Sequence, residues 1–411
     1  MKALDGTRSS VGVRGVLGCL AVLVLAVACV GPDTVPAPGM QQAAAGSDPD
    51  VTPEPTLAQP AVAPTPTPTP SPTGTGVSKE NAAQPEIDVA PLAAGAKPPQ
   101  FVVVSFDGAC DDELFKHYLD LAERTSARFT FFLSGLCLLP DGQRDEYAPP
   151  LKDRGSSSIG FTAEGDIPER IRNLTTAYER GHEIGTHALG HFCGAGGVGD
   201  WGPDDWRSEL TQFDTFLDNW RTNLGPELSA DVPTLPFNSS VVQGIRTPCL
   251  QGNRDAMWPV WQEAGFTYDA SNTGSLGWPK KIDGFEIWEF PLQTIPVVGF
   301  DRGALAMDYN FMCIQNGCST RADPPKVEQV EQSTYDTYMQ ATQTACNGDR
   351  GPLFFGNHFN TWVGGAYRDA LTRFVTDAKS ACGDVQFVSN RDLVRWLSAQ
   401  DPAVLQQLRA A

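Results

Sequence analysis

The feature that most restricts the fold of this chain is an alternation beginning at residue 100. The continuous apolar run "QFVVVSF" (100–106) is followed by the helix-like "DDELFKHYLDLAERTSA" and then by a second apolar run, "RFTFFLSG", from Arg128 to Gly135. Runs apolar on both faces suit strands of a sheet covered on both sides. Strand, helix, strand at this spacing implies a parallel pair. The pattern recurs with longer loops. "IPERIRNLTTAYERG" leads into "HEIGTHAL", "DDWRSELTQFDTFLDNWRTNL" leads to "GIRTP", and "RDAMWPVWQEAG" leads to "FTYDAS". "WEFPLQTIP" reads as another strand; a helix around Val327 to Ala345 precedes "PLFFGNHF", and "YRDALTRFVTDAKSA" precedes "VQFVS" and the closing helix "NRDLVRWLSA". Six or seven alternations predict an α/β chain folded as a (β/α) barrel of about seven strands. Active groups in such barrels sit at the C-terminal ends of the strands.

The first hundred residues do not join this pattern. Lys2, Arg8 and Arg14 precede an apolar run from Val16 to Ala28, too short to span a bilayer stably, so residues 1–29 read as an export signal. "LAVAC" resembles a bacterial lipoprotein cleavage box in which Cys29 is lipidated, although Ala26 stands where Leu is preferred; a plain secreted protein is the alternative. Residues 30–98, including "APTPTPTPSPT", hold almost no large apolar side chains and read as a disordered Pro/Thr/Ala-rich stalk. The expected organisation is a leader (1–29), a stalk (30–98), a folded domain (99–402) and a short tail (403–411). An exported domain, extracellular and tethered to the cell membrane only through a lipid on Cys29, follows from this reading. Eight cysteines fall inside the domain, an even number that favours disulfides in an exported protein. Thirty basic against forty-nine acidic residues give a net charge of −19, which argues against nucleic acid or anionic lipid as partner.

The polar groups that follow the apolar runs are Asp107, His187 with His191, Arg246, Asp269 and His358. Three of the chain's five histidines fall at these places. His187 and His191, four apart in "GTHALGH", can face one ion, and zinc is commonly held by neutral imidazoles with a carboxylate. Arg246 in "GIRTPCLQGN" suits a partner that keeps a buried carboxylate ionised. His358 in "FFGNHF" suits a proton donor. His182 precedes its strand and is expected at the opposite rim in a structural role, and His117 lies mid-helix, solvated or partly packed.

"SFDGA", "GTHALGH", "RTPCLQGN", "YDAS" and "FFGNHF", in this order, resemble the successive motifs of the polysaccharide deacetylases, the NodB-homology domain of carbohydrate esterase family four, in its chitin-deacetylase-like branch. The resemblance covers roughly Pro99 to Pro402. It implies a distorted (β/α) barrel that hydrolyses N-acetyl, or O-acetyl, groups of a polysaccharide with one divalent metal ion, zinc in the first place and otherwise cobalt or manganese. It also implies His187 and His191 as metal ligands, Asp107 as general base, Arg246 as the residue orienting that base, and His358 as general acid. The substrate implied is an N-acetylated polymer, chitin-like or peptidoglycan, and the protein is expected to be a monomer. An oxyanion would be held by the metal and a backbone N–H, expected in the Cys249–Leu250 turn. Trp201, Trp206 and Trp362 are candidates for stacking on sugar rings.

One departure strikes the metal site. Where the family has a second acid that serves as the third protein ligand, this chain has Gly108. Three readings stay open: Asp111 or Asp112 swings back to the metal; the ion is held by the two histidines with water, or by Asp107 itself; or the domain has lost metal and catalysis and binds glycan only.

Overall fold

A computed structural model describes residues 81–93 and 95–410. The expected leader, Cys29 and the proline-rich tract up to residue 80 lie outside the described residues. The strands run in chain order as β1 (Gln100–Gly108), β2 (Thr130–Leu133), β3 (Glu183–Thr186), β4 (Gly244–Ile245), β5 (Tyr268–Asp269), β6 (Thr273–Gly274), β7 (Lys280–Lys281), β8 (Trp288–Glu289), β9 (Leu292–Pro296), β10 (Gly303–Leu305), β11 (Leu353–His358) and β12 (Val385–Phe387). The main sheet has the order β11-β1-β2-β3-β4-β5-β8-β7, parallel except for the β7–β8 pair. β12 pairs with the first residues of β1.

The α/β barrel expected from the sequence is present, and its distortion has identifiable causes. "WEFPLQTIP", read as one strand, is two strands in two sheets, because Pro291 between them has no N–H to continue a ladder. β9 instead joins β6 and β10 in a separate three-stranded sheet. That small sheet lies against β11: the Gln293 side chain accepts from Phe354 N and donates to Pro352 O, and Gly356 N donates to Ala306 O at 2.8 Å. Side-chain bonds and a single bridge between Met307 and Gly356 thus stand where a continuous ladder would close the barrel.

The period-2 geometry of β1 explains why its run is apolar throughout. Phe101 and Val103 pack with Phe132, Tyr268, Phe290 and Phe354, while Val102, Val104 and Phe106 pack with the surrounding helices. The interior is tight enough to require glycine at Gly244, where a Cβ would meet the Tyr268 ring at 2.2 Å. The helices that matter for the site are α1 (Asp112–Thr125), α2 (Ile167–Glu179), α3 (Pro203–Asp218), α4 (Arg254–Glu263), α5 (Asp308–Asn316), α6 (Pro324–Asn347), α7 (Trp362–Asp377) and α8 (Asn390–Ser398). α5 was not anticipated from the sequence pattern.

The folded part begins earlier than the expected boundary at residue 98. Residues from Asn81 onward form a strap against the domain. Gln84 donates to the carbonyls of Tyr178 and His182, Arg128 donates to Pro85 O, and Glu86 pairs with Arg395. Leu92 N donates to Gln400, and Ile87, Val89 and Leu92 pack against the inner core. The strap holds apolar side chains that composition alone hides among prolines and alanines. Four disulfides, Cys110–Cys137, Cys193–Cys249, Cys313–Cys318 and Cys346–Cys382, use all eight domain cysteines.

Candidate active site

Parallel strands carry their C-terminal ends to one rim, and there the chain builds a cleft of about 500 Å³ lined by Asp107, Gly108, Ser134, His187, His191, His358 and Trp362, among others. Asp107 and His358 are register partners on the adjacent strands β1 and β11. Neighbours in register on a parallel pair place their side chains on the same face, so the two groups meet across one ladder step.

Asp107 is almost fully buried beside Arg246, whose Nη1 donates to Asp107 Oδ1 at 2.8 Å and to Ser105 Oγ at 2.8 Å. Arg246 Nε donates to Ala270 O, and the guanidinium lies over the Phe132 ring at 4.7 Å. Burial works to raise the Asp107 carboxyl, but Arg246, His187 and His358 outweigh it and hold the group below the usual 3.8. Asp107 is therefore a carboxylate across the neutral range.

His187 is 2% exposed, and its Nδ1 lies 2.7 Å from Arg246 O. A carbonyl only accepts, so Nδ1 carries the proton and Nε2 keeps its lone pair. Burial pushes the His187 ring down to about 4 and lowers His191 as well, leaving both neutral, as metal ligands must be. The two ring centroids are 5.1 Å apart. The turn between them is strained, with Ala188 at φ 58 and His191 at φ 55.

His358 is held the opposite way. Its Nδ1 lies 2.7 Å from Oδ1 of Asp308, the first residue of α5, and its backbone N–H donates to Asp308 Oδ2 at 2.8 Å. Asn360 Nδ2 also donates to Oδ2 at 2.7 Å, fixing a carboxylate that is only 1% exposed. Burial alone would lower the His358 ring, but Asp308, by charge and hydrogen bond, and Asp107 raise it above 6.5. Asp308 went unread in the sequence because the run before it, "ALAM", is too short to stand out as a strand, and β10 covers only Gly303–Leu305 of it. The Trp362 ring stands 5.4 Å from that of His358.

Several expectations are corrected. Asp112 does not reach the histidines: Arg170 grips it with Nε at 2.8 Å and Nη2 at 3.0 Å, and Asn173 donates to it at 3.1 Å. Asp111 caps α1 by accepting from Leu114 N at 2.9 Å, and although it lines the cleft it does not join the pair. Among the described residues, the one set of three potential ligand atoms lying within 4.8 Å of one another is His191 with Cys193 and Cys249, whose sulfurs are already joined as a disulfide. No carboxylate completes a three-ligand site there. The Cys249–Leu250 turn lies outside the cleft lining, and Leu250 N is spent on Thr247 O. Trp201 and Trp206 are core residues stacked edge to face at 4.7 Å, so only Trp362 of the three tryptophans faces the cleft. Asp269 accepts from Trp258 Nε1 and Ser271 N, a packing role. His182, buried, accepts from Phe129 N at the far rim, and burial takes it down to about 3. His117 is partly buried, with Nε2 2.9 Å from Thr372 Oγ1.

No family model matches the chain, and no curated protein does. Solved structures do. The chain is similar in fold to polysaccharide deacetylases. A structure from Mycobacterium smegmatis described as a polysaccharide deacetylase shares 15% identity with a TM-score of 0.44, over 76% of this chain and 96% of that one. The CE4 domain of a multidomain xylanase from the hindgut metagenome of Trinervitermes trinervoides shares 12% over 73% of this chain and 92% of its own, with a TM-score of 0.38. A mutant of a CE4 family pseudoenzyme from Bacillus anthracis with restored enzymatic activity shares 12% over 76% and 73%, with a TM-score of 0.39.

Proposed function

We propose that the protein is a hydrolase removing acetyl groups, N-acetyl before O-acetyl, from an envelope or environmental polysaccharide such as a chitin-like polymer or peptidoglycan. The observation that carries this reading is a base and an acid on adjacent strands, each with its own partner: Asp107 bonded to Arg246, which lowers its carboxyl, and His358 bonded to Asp308, which raises its imidazole. Amide hydrolysis needs both. A base takes a proton from water, and an acid gives one to the departing nitrogen, which cannot leave as an anion.

Two neutral imidazoles with free nitrogens fit two positions around a divalent ion, zinc by donor type. His187 and His191 would hold it, and when bound it supplies Lewis-acid polarisation of the carbonyl and a water acidic enough to attack near neutral pH. Asp107 would accept a proton from the attacking water, its orientation fixed by Arg246, which Ser105 holds in turn. His358 delivers a proton from Nε2, since Nδ1 is engaged by Asp308. Trp362, beside His358, presents a ring face to the sugar. The localisation proposed with this function is outside the cell, with the domain tethered through Cys29.

A second reading draws support from the fact that, among the described residues, no carboxylate completes a three-ligand set with the histidine pair: a glycan-binding protein without catalysis. One set of measurements separates the two. The first reading expects acetate release from N-acetylated oligosaccharides, abolished by EDTA and by Asp107→Asn or His187→Ala. A purified protein that holds no metal and releases no acetate from chitin oligomers, peptidoglycan or acetylated xylan, yet binds glycan in EDTA, establishes the second.

A further inference from the structure

α3 buries a charge that the chemistry above does not use. Its apolar face carries Trp206, Leu210, Phe213, Phe216 and Leu217, and in the middle of that face stands Glu209, fully buried. A carboxylate among aromatic side chains is costly unless its oxygens are bonded. Here they are bonded to one target. Glu209 Oε1 accepts from Leu189 N at 2.9 Å and from Gly190 N at 3.4 Å, two of the peptide groups between His187 and His191. Tyr147 completes the arrangement: its hydroxyl donates to Glu209 Oε2 at 2.9 Å and accepts from Gly190 N at 3.1 Å. Burial raises the Glu209 carboxyl to about 7, against the lowering effect of these three bonds.

The turn needs such a partner. Ala188 and His191 both have left-handed backbones, which for residues other than glycine cost on the order of 1–3 kcal/mol each and persist only where the surroundings over-determine them. Gly190 admits no side chain, since a Cβ there would stand 2.7 Å from the Tyr147 hydroxyl. The carboxylate takes the Leu189 N–H, which the strained turn would otherwise leave buried and unpaired, and shares the Gly190 N–H with the Tyr147 hydroxyl.

We infer that Glu209, seconded by Tyr147, is a positioning residue: it sets the backbone of the 188–190 turn and thereby the direction and separation of the His187 and His191 rings. The inference rests on the reading of those histidines as metal ligands. Groups that orient metal ligands from behind typically contribute 10–100-fold in metal affinity.

The test compares Glu209→Leu, Glu209→Gln and Tyr147→Phe with the parent by zinc titration against a competing chelator dye, with unfolding midpoints in EDTA and amide hydrogen exchange across residues 186–192. Glu209→Leu is expected to weaken zinc binding by about 10–100-fold. Glu209→Gln, which keeps an acceptor, is expected to restore most of that loss, and exchange at Leu189 and Gly190 to speed up in Glu209→Leu and Tyr147→Phe. A folded Glu209→Leu that binds zinc like the parent, or a Gln variant as weak as the Leu one, overturns the inference. If the Leu variant does not fold, the Gln and Phe variants decide it by the same readings. A parent that binds no zinc sinks the metal reading alone; exchange at Leu189 and Gly190 then still decides whether Glu209 holds the turn, and unchanged protection overturns the inference.

Discussion

Gly108 is the position at which a single substitution reports most on this site. It lines the cleft with His187 and His191, its φ is +86, and a Cβ built on it meets nothing within 4 Å. Replacing it by Asp therefore meets no steric obstacle. The left-handed backbone costs an L-residue roughly 1–2 kcal/mol, with Asp at the low end of that range. Against this, the unfolded chain loses about 0.4–1 kcal/mol of freedom when glycine is replaced. The net in chelator is a loss of no more than about 0.6 kcal/mol, to which repulsion from the buried Asp107 adds; in a domain of this size the backbone part lowers the unfolding midpoint by only about 1–2 °C. With zinc present the sign reverses if the new carboxylate joins the ion. At a free zinc concentration 100-fold above the dissociation constant, binding stabilises the fold by about 2.7 kcal/mol. The assay is thermal unfolding of parent and Gly108→Asp, each in EDTA and in excess zinc, with acetate release measured in parallel. A zinc-induced rise in midpoint clearly larger for Gly108→Asp than for the parent is expected. An equal rise in both refutes the placement of residue 108 beside the ion, and a loss in EDTA well beyond 2 kcal/mol refutes the backbone argument.

Other perturbations follow from the same geometry. Asp308→Asn removes the charge that keeps His358 cationic, so deacetylation should fall by about 10²–10⁴-fold, and the alkaline limb of its pH profile should move to lower pH; an unshifted limb counts against the assignment of His358 as acid. In the parent, activity should show an alkaline limb above 6.5, set by His358, and an acid limb set first by protonation of His187 at about 4, with Asp107 following below 3.8. Asp107 and His358 also link stability to pH with opposite signs: the contribution of Asp107 is present above 3.8 and lost as pH falls through its lowered value, while that of His358 is present below 6.5 and lost as pH rises through its raised value. Arg246→Met strands a buried carboxylate and should destabilise the fold by about 3–5 kcal/mol in urea titration, and Arg246→Met combined with Asp107→Leu should recover most of it. A chain beginning at Pro99 lacks the strap, and uncovering Ile87, Val89 and Leu92 should cost about 2–4 kcal/mol against one beginning at Asn81; equal midpoints would show that the strap contributes nothing.

What could be read from the sequence followed from where each residue's partners lie. Asp107, His187, His191, Arg246 and His358 each terminate or follow a strand, so the rule that barrel chemistry gathers at strand ends found them without knowledge of contacts. Asp308 escaped because it opens an unpredicted helix and acts through a residue fifty positions away. Asp111 and Asp112 were misread for a reason visible in hindsight: an acid immediately before an amphipathic helix is first of all a cap, and Asp111 is one. The grip of Arg170 on Asp112 spans 58 positions and leaves no local trace. Glu209 did leave one, an acid in the apolar stripe of α3, where charge is out of place unless something buried requires it. The two-residue strands β4 and β5 fall below what periodicity can resolve, and the sequence showed them only as places after helices, whereas β8 was read as the start of one longer strand that Pro291 divides.

The strap has a consequence for how the domain meets its surroundings. It docks on Tyr178, His182, Arg128 and Arg395, at the ends where the parallel strands begin, while the cleft opens where they finish. The polypeptide thus arrives at the pole opposite the chemistry. The described strap therefore leaves the mouth of the cleft uncovered, and the pole at which it docks follows from strand polarity.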